Sequence, residues 1–157
     1  MRNLLKPNHL VVVTFLISLL GCKSRDEQIV STIEGSYILN KIEHQGFDIT
    51  SEVIAAILSF NTDDNLKFKP PIINGEVGKS ENYDWVMIEE ENEIKIKFDT
   101  NNKIFKDVFK VSFKIDDTSR QIHLFMKSQS TQISASRVFL SENFIDVKRK
   151  LILINSQ

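Results

Sequence analysis

Apolar and polar residues alternate in several short stretches of the chain, which is the pattern of β-strands with one dry and one wet face. Residues 94–98 (IKIKF) alternate apolar residues with lysine, and residues 109–115 (FKVSFKI) and 121–126 (QIHLFM) repeat this period. Stretches rich in Asp, Asn, Thr and Ser separate the three segments, as is usual for tight turns. These segments predict an antiparallel sheet, because buried parallel strands are apolar on both faces.

Five more stretches bring the predicted number of strands to eight. One of them is ambiguous, because residues 51–58 (SEVIAAIL) fit a short helix capped at Thr50 or Ser51 equally well. Residues 72–82 form the longest irregular loop, and a Pro-Pro pair ends the strand before it, since proline cannot donate to a ladder. The five additional strands are predicted at residues 36–42, 54–60, 66–68, 83–89 and 131–140.

An open sheet of this size would leave two unpaired edges, and closing it into a barrel removes both. An eight-strand barrel encloses space for packed side chains or for one small ligand. We therefore predict an all-β fold, an antiparallel eight-strand up-and-down barrel, with a two-sheet β-sandwich as the alternative. If a cavity remains inside the barrel, we expect inward-facing residues to line it, namely Leu39, Trp85, Phe98, Val111, Phe113 and Leu124.

The C-terminal stretch 147–154 (VKRKLILI) places basic residues before an apolar run. We expect this stretch to form an extra strand that closes the base of the barrel. A segment that docks a partner is the alternative.

Acidic residues cluster at 89–93, where the alternation predicts the tip of a hairpin. Lysines lie close by in the next strand, at Lys95 and Lys97, and again in the strand that follows. We expect a solvated turn with cross-strand ion pairs here, each contributing a few tenths of a kcal/mol.

The N-terminal region combines basic residues with a short apolar run. Arg2 and Lys6 precede residues 10–20 (LVVVTFLISLL), which are eleven residues long. A membrane-spanning helix needs about 20 apolar residues. The pattern is therefore typical of a secretory signal, and it predicts that the chain is exported.

Residues 19–22 (LLGC) follow this run and resemble the lipobox of bacterial lipoproteins. The resemblance implies that Cys22 carries diacylglycerol and that the chain is cut just before it. Residues 1–21 would then be the signal peptide, 22–32 a lipidated tether and 33–157 the barrel domain. Several acyl chains anchor a protein stably, whereas a single chain binds a membrane only marginally.

Lys23, rather than Asp, follows Cys22. By similarity to lipoprotein sorting rules, this residue implies anchoring in the bacterial outer membrane. The sequence leaves open whether the domain faces the periplasm or the exterior.

Short motifs in the barrel region resemble those of lipocalin-like bacterial lipoproteins. Residues 33–39 (IEGSYIL) are similar to the Gly-x-Trp opening of that family, with Tyr37 in the place of Trp. Residues 136–139 (SRVF) resemble its closing strand, whose arginine packs on the aromatic ring of the first strand. The resemblance implies a lipocalin-like barrel closed by a Tyr37–Arg137 pair, and a solvated Arg137 is the alternative.

Composition limits the chemistry of the chain. Its 157 residues are 41% hydrophobic and 26% charged, which corresponds to one globular domain, and the net charge of -1 predicts no nucleic-acid surface. One cysteine allows neither an intrachain disulfide nor a multi-thiolate metal site. No nucleophile elbow, phosphate loop or metalloprotease motif is present. We therefore expect no catalytic activity, no metal and no cofactor.

Two binding functions fit these observations. The first is a membrane-anchored lipoprotein that binds a small hydrophobic ligand inside the barrel. The alternative is a protein-recognition lipoprotein, of inhibitor or immunity type, that binds an envelope protein through its strand edges and loops, including 72–82. A wide, dry cavity would favour the ligand, and a filled core would favour the protein partner.

Overall fold

The computed structural model describes residues 25–62, 66–74, 81–90, 93–138 and 141–155. This part of the chain contains eleven strands and two α-helices. In chain order the elements are α1 (Arg25–Ile33), β1 (Gly35–His44), β2 (Phe47–Asp48), a 3₁₀ turn (Thr50–Glu52), β3 (Val53–Ala55), β4 (Ile57–Asn61), β5 (Lys67–Lys69), β6 (Ile72–Ile73), β7 (Tyr83–Glu90), β8 (Glu93–Asp99), β9 (Val108–Asp116), β10 (Gln121–Lys127), β11 (Thr131–Val138) and α2 (Ser141–Asn155).

Eight of these strands close into an antiparallel barrel. Their order around the ring is β1, β4, β5, β7, β8, β9, β10 and β11, and β11 pairs with β1 to complete it. Each predicted strand region overlaps one of these strands. The lipocalin-like up-and-down barrel is therefore confirmed, and the sandwich alternative is wrong. β2 folds back and pairs antiparallel with the last two residues of β1, while β3 and β6 form a separate two-stranded sheet.

Within residues 51–58, strand structure begins at Val53, and the predicted short α-helix does not form. A 3₁₀ turn at Thr50–Glu52 precedes β3 and β4, and the Ile42 amide donates to Thr50 Oγ1 over 3.0 Å. Leu58 and Phe60 both point into the core with the period of a strand. Pairing of β4 with β1 and β5 satisfies the backbone here, so tertiary contacts decide between two local structures of similar propensity.

The predicted extra strand at 147–154 is wrong, because these residues belong to α2. Phe144, Val147 and Leu151 repeat at helical spacing and pack on Ile122 at the start of β10. The apolar run that begins at Leu151 conceals this period in the sequence. Consecutive apolar residues do not distinguish a strand from a buried helix face.

The segment assigned to a tether also differs in the structure, since α1 covers residues 25–32 of it. Ile29 and Ile33 lie one helical turn apart and are fully buried in the barrel core. This burial holds the segment against the domain. Residues 22–24 lie outside the described residues.

Both helices lie at the same end of the barrel. α1 ends just before β1 begins, α2 starts shortly after β11 ends, and the two helices contact each other. We call this the helical end. The opposite end, called the far end, carries the β10–β11 turn and the segment 100–107 between β8 and β9.

Residues 72–82, predicted as an irregular loop, begin with β6 at Ile72–Ile73, which pairs with β3. Residues 75–80 lie outside the described residues, as do the predicted signal peptide and Cys22. Within the described ranges, neither helix has the length and apolar character needed to cross a membrane.

Candidate functional site

The six residues predicted to line a cavity all lie inside the barrel. Five of them are at most 6% exposed and belong to one continuous cluster of buried side chains. The sixth, Phe113, is partly buried and packs against both that cluster and a smaller one beneath α2. The structure therefore packs the predicted residues into its core. The five are Leu39, Trp85, Phe98, Val111 and Leu124.

Aromatic rings occupy the middle of the barrel. The ring centroid of Phe98 lies 4.3 Å from that of Phe68, 5.7 Å from that of Phe109 and 6.2 Å from that of Phe105. Such pairs stabilise a core by about 0.5–1.5 kcal/mol each beyond the area they bury. These rings take up space that a ligand inside the barrel would need.

Phe60, Phe68 and Phe105 are core residues that the sequence reasoning did not single out. Phe60 and Phe68 follow the inward parity of β4 and β5, so the alternation carried a signal for them. Phe105 lies in the segment between β8 and β9 and is fully buried. No strand period marks it, and only the tertiary structure brings it into the core.

Trp85 places a polar indole nitrogen inside this apolar core. Its side chain is buried, and its indole Nε1 has no hydrogen-bond partner among the described residues. Leaving a buried donor unsatisfied costs about 1–3 kcal/mol. An acceptor brought by a guest molecule would relieve this cost.

Tyr37 and Arg137 come together at the helical end. The Tyr37 hydroxyl donates to the Ile33 carbonyl oxygen over 3.0 Å, and Arg137 Nη1 donates to the carbonyl oxygen of Glu34. Burial raises the pKa of Tyr37 to about 12, although the charge of Arg137 and a hydrogen bond from it act in the opposite direction. The two side chains thus tie β1, β11 and the end of α1 together.

Gly35 makes room for this arrangement. Its φ is +128°, and a Cβ atom built on it would lie 2.0 Å from Arg137 Nη1. A side chain here would be strained and would displace the guanidinium. Glycine is therefore required by both the backbone conformation and the close approach.

A groove of about 530 Å³ lies on the outer face of β9, β10, β11 and β1. Phe125 lines this groove and is 40% exposed. Ser112 and Ser134 lie directly opposite Phe125 on the two neighbouring strands. Because both serines are small, they leave a depression on each side of the ring. We call this site the outer groove.

Lysines form one wall of the outer groove. Lys110 lies opposite Lys95 on one side and opposite Lys127 on the other, so three lysines make a row across β8, β9 and β10. Like charges placed directly opposite each other destabilise a sheet. We call these three residues the lysine row.

Carboxylates neutralise only part of the lysine row. Lys95 pairs with Glu90 and Glu93, and Lys110 also pairs with Glu93, as the sequence predicted for this hairpin. Lys127 forms no ion pair within the described part of the chain. The wall nearest Phe125 is therefore positively charged.

A second pocket, of about 260 Å³, lies on the outer face of β7 and β8. Asp84 and Asp99 face each other there, and Lys97 stands beside them. Asp84 pairs with Lys67 at 2.5 Å. This pocket lacks an exposed aromatic residue among its lining residues, in contrast to the outer groove.

A polar network at the far end brings hydroxyl, imidazole and carboxylate groups together. His44 Nδ1 lies 2.9 Å from Thr131 Oγ1, which donates to the Ile104 carbonyl oxygen over 2.9 Å. Ser130 Oγ donates to Asp107 Oδ2 over 2.5 Å, and this bond is the main cause of the lowered pKa of Asp107. The arrangement differs from a nucleophile–base pair, in which the hydroxyl donates to the imidazole.

This network holds the segment 100–107 on the barrel. Across the residues that the structure describes, no group of three or more His, Cys, Asp and Glu side chains is placed to bind a metal ion.

The chain was compared with known proteins at the level of sequence and of structure. No protein-family model matches the chain, and no curated protein or solved structure matches it.

Proposed function

We propose that this chain is a lipid-anchored protein of the bacterial outer membrane that binds a protein partner on the outer face of its barrel, without catalysis. The observation that carries the proposal is the contrast between a barrel interior packed with aromatic rings and an open outer groove. A filled core leaves the outer surface for recognition. Aromatic residues are enriched in protein interfaces relative to the rest of the surface.

The position of the groove supports an aqueous partner. With lipid on Cys22, the membrane would lie near the helical end, because α1 begins three residues later, at Arg25. Lys127 is the last residue of β10 and lies toward the far end. The side of the outer groove that carries Lys127 would then lie away from the anchoring membrane.

Site-specific photocrosslinking in intact cells of the native host tests this proposal. A photoreactive phenylalanine analogue replaces Phe125 in the full chain, and a matched chain carries it at Val86, which is 54% exposed on the outer face of β7. We expect a discrete adduct with an envelope protein from position 125 only. No adduct at either position, or the same adduct at both, would contradict the proposal.

A small ligand inside the barrel is the second candidate, and the unpaired Nε1 of Trp85 is the observation that favours it. Trp85 is the one tryptophan of the chain, so its emission reports on the interior. We expect titration of the full chain in nanodiscs with a long-chain fatty acid to leave this emission unchanged. A saturable shift that a second fatty acid reverses would favour the ligand instead.

A further inference from the structure

We infer that the outer groove recognises an acidic protein segment that carries an apolar side chain beside its carboxylates. The inference rests on the proposed function, since it gives the chemistry of the partner at the same site. Three features of the described residues carry it: the charge of the lysine row, the exposed ring of Phe125 and the closed hydrogen bonding of the strands beneath.

The positive charge of the lysine row favours a partner segment that carries carboxylates. Glu93 serves both Lys95 and Lys110, whereas Lys127 has no acidic partner within the described ranges. A carboxylate placed between Lys110 and Lys127 would relieve the repulsion between two directly opposite ammonium groups. Such charge-assisted hydrogen bonds are stronger than neutral ones and orient the partner.

The exposed ring of Phe125 favours an apolar side chain on the partner segment. Ser112 and Ser134 flank it on the same row, so a partner residue can enter the depression and cover the ring. Lys41, opposite Ser134, already pairs with Glu43 at 2.5 Å. Positive charge is therefore concentrated on the side of Lys110 and Lys127, and the carboxylates must lie on that side of the apolar contact.

The closed ring determines how the partner can bind. β9, β10, β11 and β1 each pair with a neighbour on both sides, so the strands beneath the groove have no free edge. Addition of a partner strand, a common mode of peptide recognition, needs such an edge. Recognition here must use side chains, which makes it sensitive to single substitutions at the groove.

The test is a binding titration of the full chain in detergent, monitored by fluorescence anisotropy. The probe is a fluorescein-labelled peptide of sequence Glu-Phe-Glu-Phe-Glu-Phe. Two control peptides keep one feature each, with serine replacing phenylalanine or lysine replacing glutamate. We expect saturable binding of the first peptide, weakened by salt, and binding of each control that is weaker by about tenfold or more.

Three variants locate the site. We expect Lys127→Glu and Phe125→Ser each to weaken binding of the Glu-Phe peptide by about tenfold. Lys69→Glu is the matched control, because Lys69 is an exposed lysine on β5, across the ring from β10, with no ion pair among the described residues. It should leave binding within about twofold, as expected for a distant surface substitution. Thermal unfolding verifies that all three variants fold.

Several results would overturn the inference. They are equal binding of the Glu-Ser peptide, an equal loss in Lys69→Glu, or a self-associated chain that Lys127→Glu converts to monomers. A crosslinked partner whose contact segment lacks acidic residues would also overturn it, while leaving the proposed function intact. Conversely, tight binding of the Glu-Phe peptide without any adduct at position 125 would contradict the proposed function alone.

Discussion

The two ends of the barrel are closed by different chemistry. At the helical end, apolar residues of α1 and α2 enter the core, and Arg137 bonds the carbonyl oxygen that follows α1. At the far end, Phe105 enters the core, but its segment is held by hydroxyl groups and by the carboxylate of Asp107. Closure of the helical end therefore depends on burial and shape, whereas closure of the far end depends on groups that titrate.

The largest effect is expected from a core truncation at the helical end. Ile33→Ala removes a fully buried side chain and should lower the free energy of unfolding by about 2–5 kcal/mol. Ile38→Ala is the matched control, because Ile38 is 58% exposed, and its effect should stay within about 0.5 kcal/mol. Denaturant unfolding measures both. Equal losses would mean that α1 does not contribute to the core.

The next largest loss of stability is expected at Gly35, where the backbone conformation and the nearby guanidinium leave no room for a side chain. Gly35→Ala combines a positive φ with a close approach to Arg137, and the strain should cost about 1–3 kcal/mol, with displacement of the guanidinium adding to it. Gly46→Ala, at φ +83° with open space around it, should cost less.

A double variant separates the two causes at Gly35. In the Arg137→Ala background the close approach is gone, so adding Gly35→Ala should lower stability by less than it does in the wild-type chain. Chemical denaturation of the four chains measures this difference. Strict additivity would show that Arg137 does not restrict this position.

A smaller change in stability is expected at the far end, and it should depend on pH. The pKa of Asp107 is lowered from 3.8, chiefly by the hydrogen bond from Ser130. A carboxyl with a lowered folded pKa stabilises the fold fully above its unfolded value, and this contribution is lost as pH falls through the folded value. The solvated position of Asp107 limits the effect to about 1 kcal/mol or less.

Hydrogen exchange measures this acid sensitivity. Amides of segment 100–107 should lose protection below the ordinary pKa of an aspartate, and Asp107→Asn should remove that dependence. Asp116 also has a lowered pKa, but its bonds to Thr118 and Ser119 stay within one turn. Loss of protection throughout α1 over the same pH range would contradict the contrast between the two ends.

The smallest effect concerns the lysine row. Glu93→Gln removes the carboxylate that serves Lys95 and Lys110, so repulsion between the lysines should lower the melting temperature slightly at low salt and less at high salt. Glu52→Gln, at an exposed glutamate of the 3₁₀ turn, should show no such salt dependence. The same salt dependence in both variants would indicate a general charge effect.

Much of the fold could be predicted because its signal is local. Alternation along β8, β9 and β10 marks both the strands and their inward faces, and an eight-strand antiparallel sheet avoids free edges by closing. The two helices were missed for a physical reason. Ile29 with Ile33, and Phe144 with Leu151, carry the helical period on few residues, and a nearby tether or apolar run masks it.

The candidate site depends on register, which alternation does not specify. Ser112, Phe125 and Ser134 come from three strands, and a slip of one residue between two strands would turn one of the three side chains to the other face. Lys110 and Lys127 oppose each other for the same reason. Phe105 enters the core from a segment without any period.

Local patterning was thus enough to predict short strands with one wet face and one dry face, and it marks an N-terminal region typical of export. The folded barrel, in contrast, fixes which lysines oppose each other and where the exposed ring of Phe125 lies, and it fills the interior with aromatic side chains. The physical reason is that a strand period depends on neighbours in the chain, whereas a groove depends on residues that distant parts of the chain bring together.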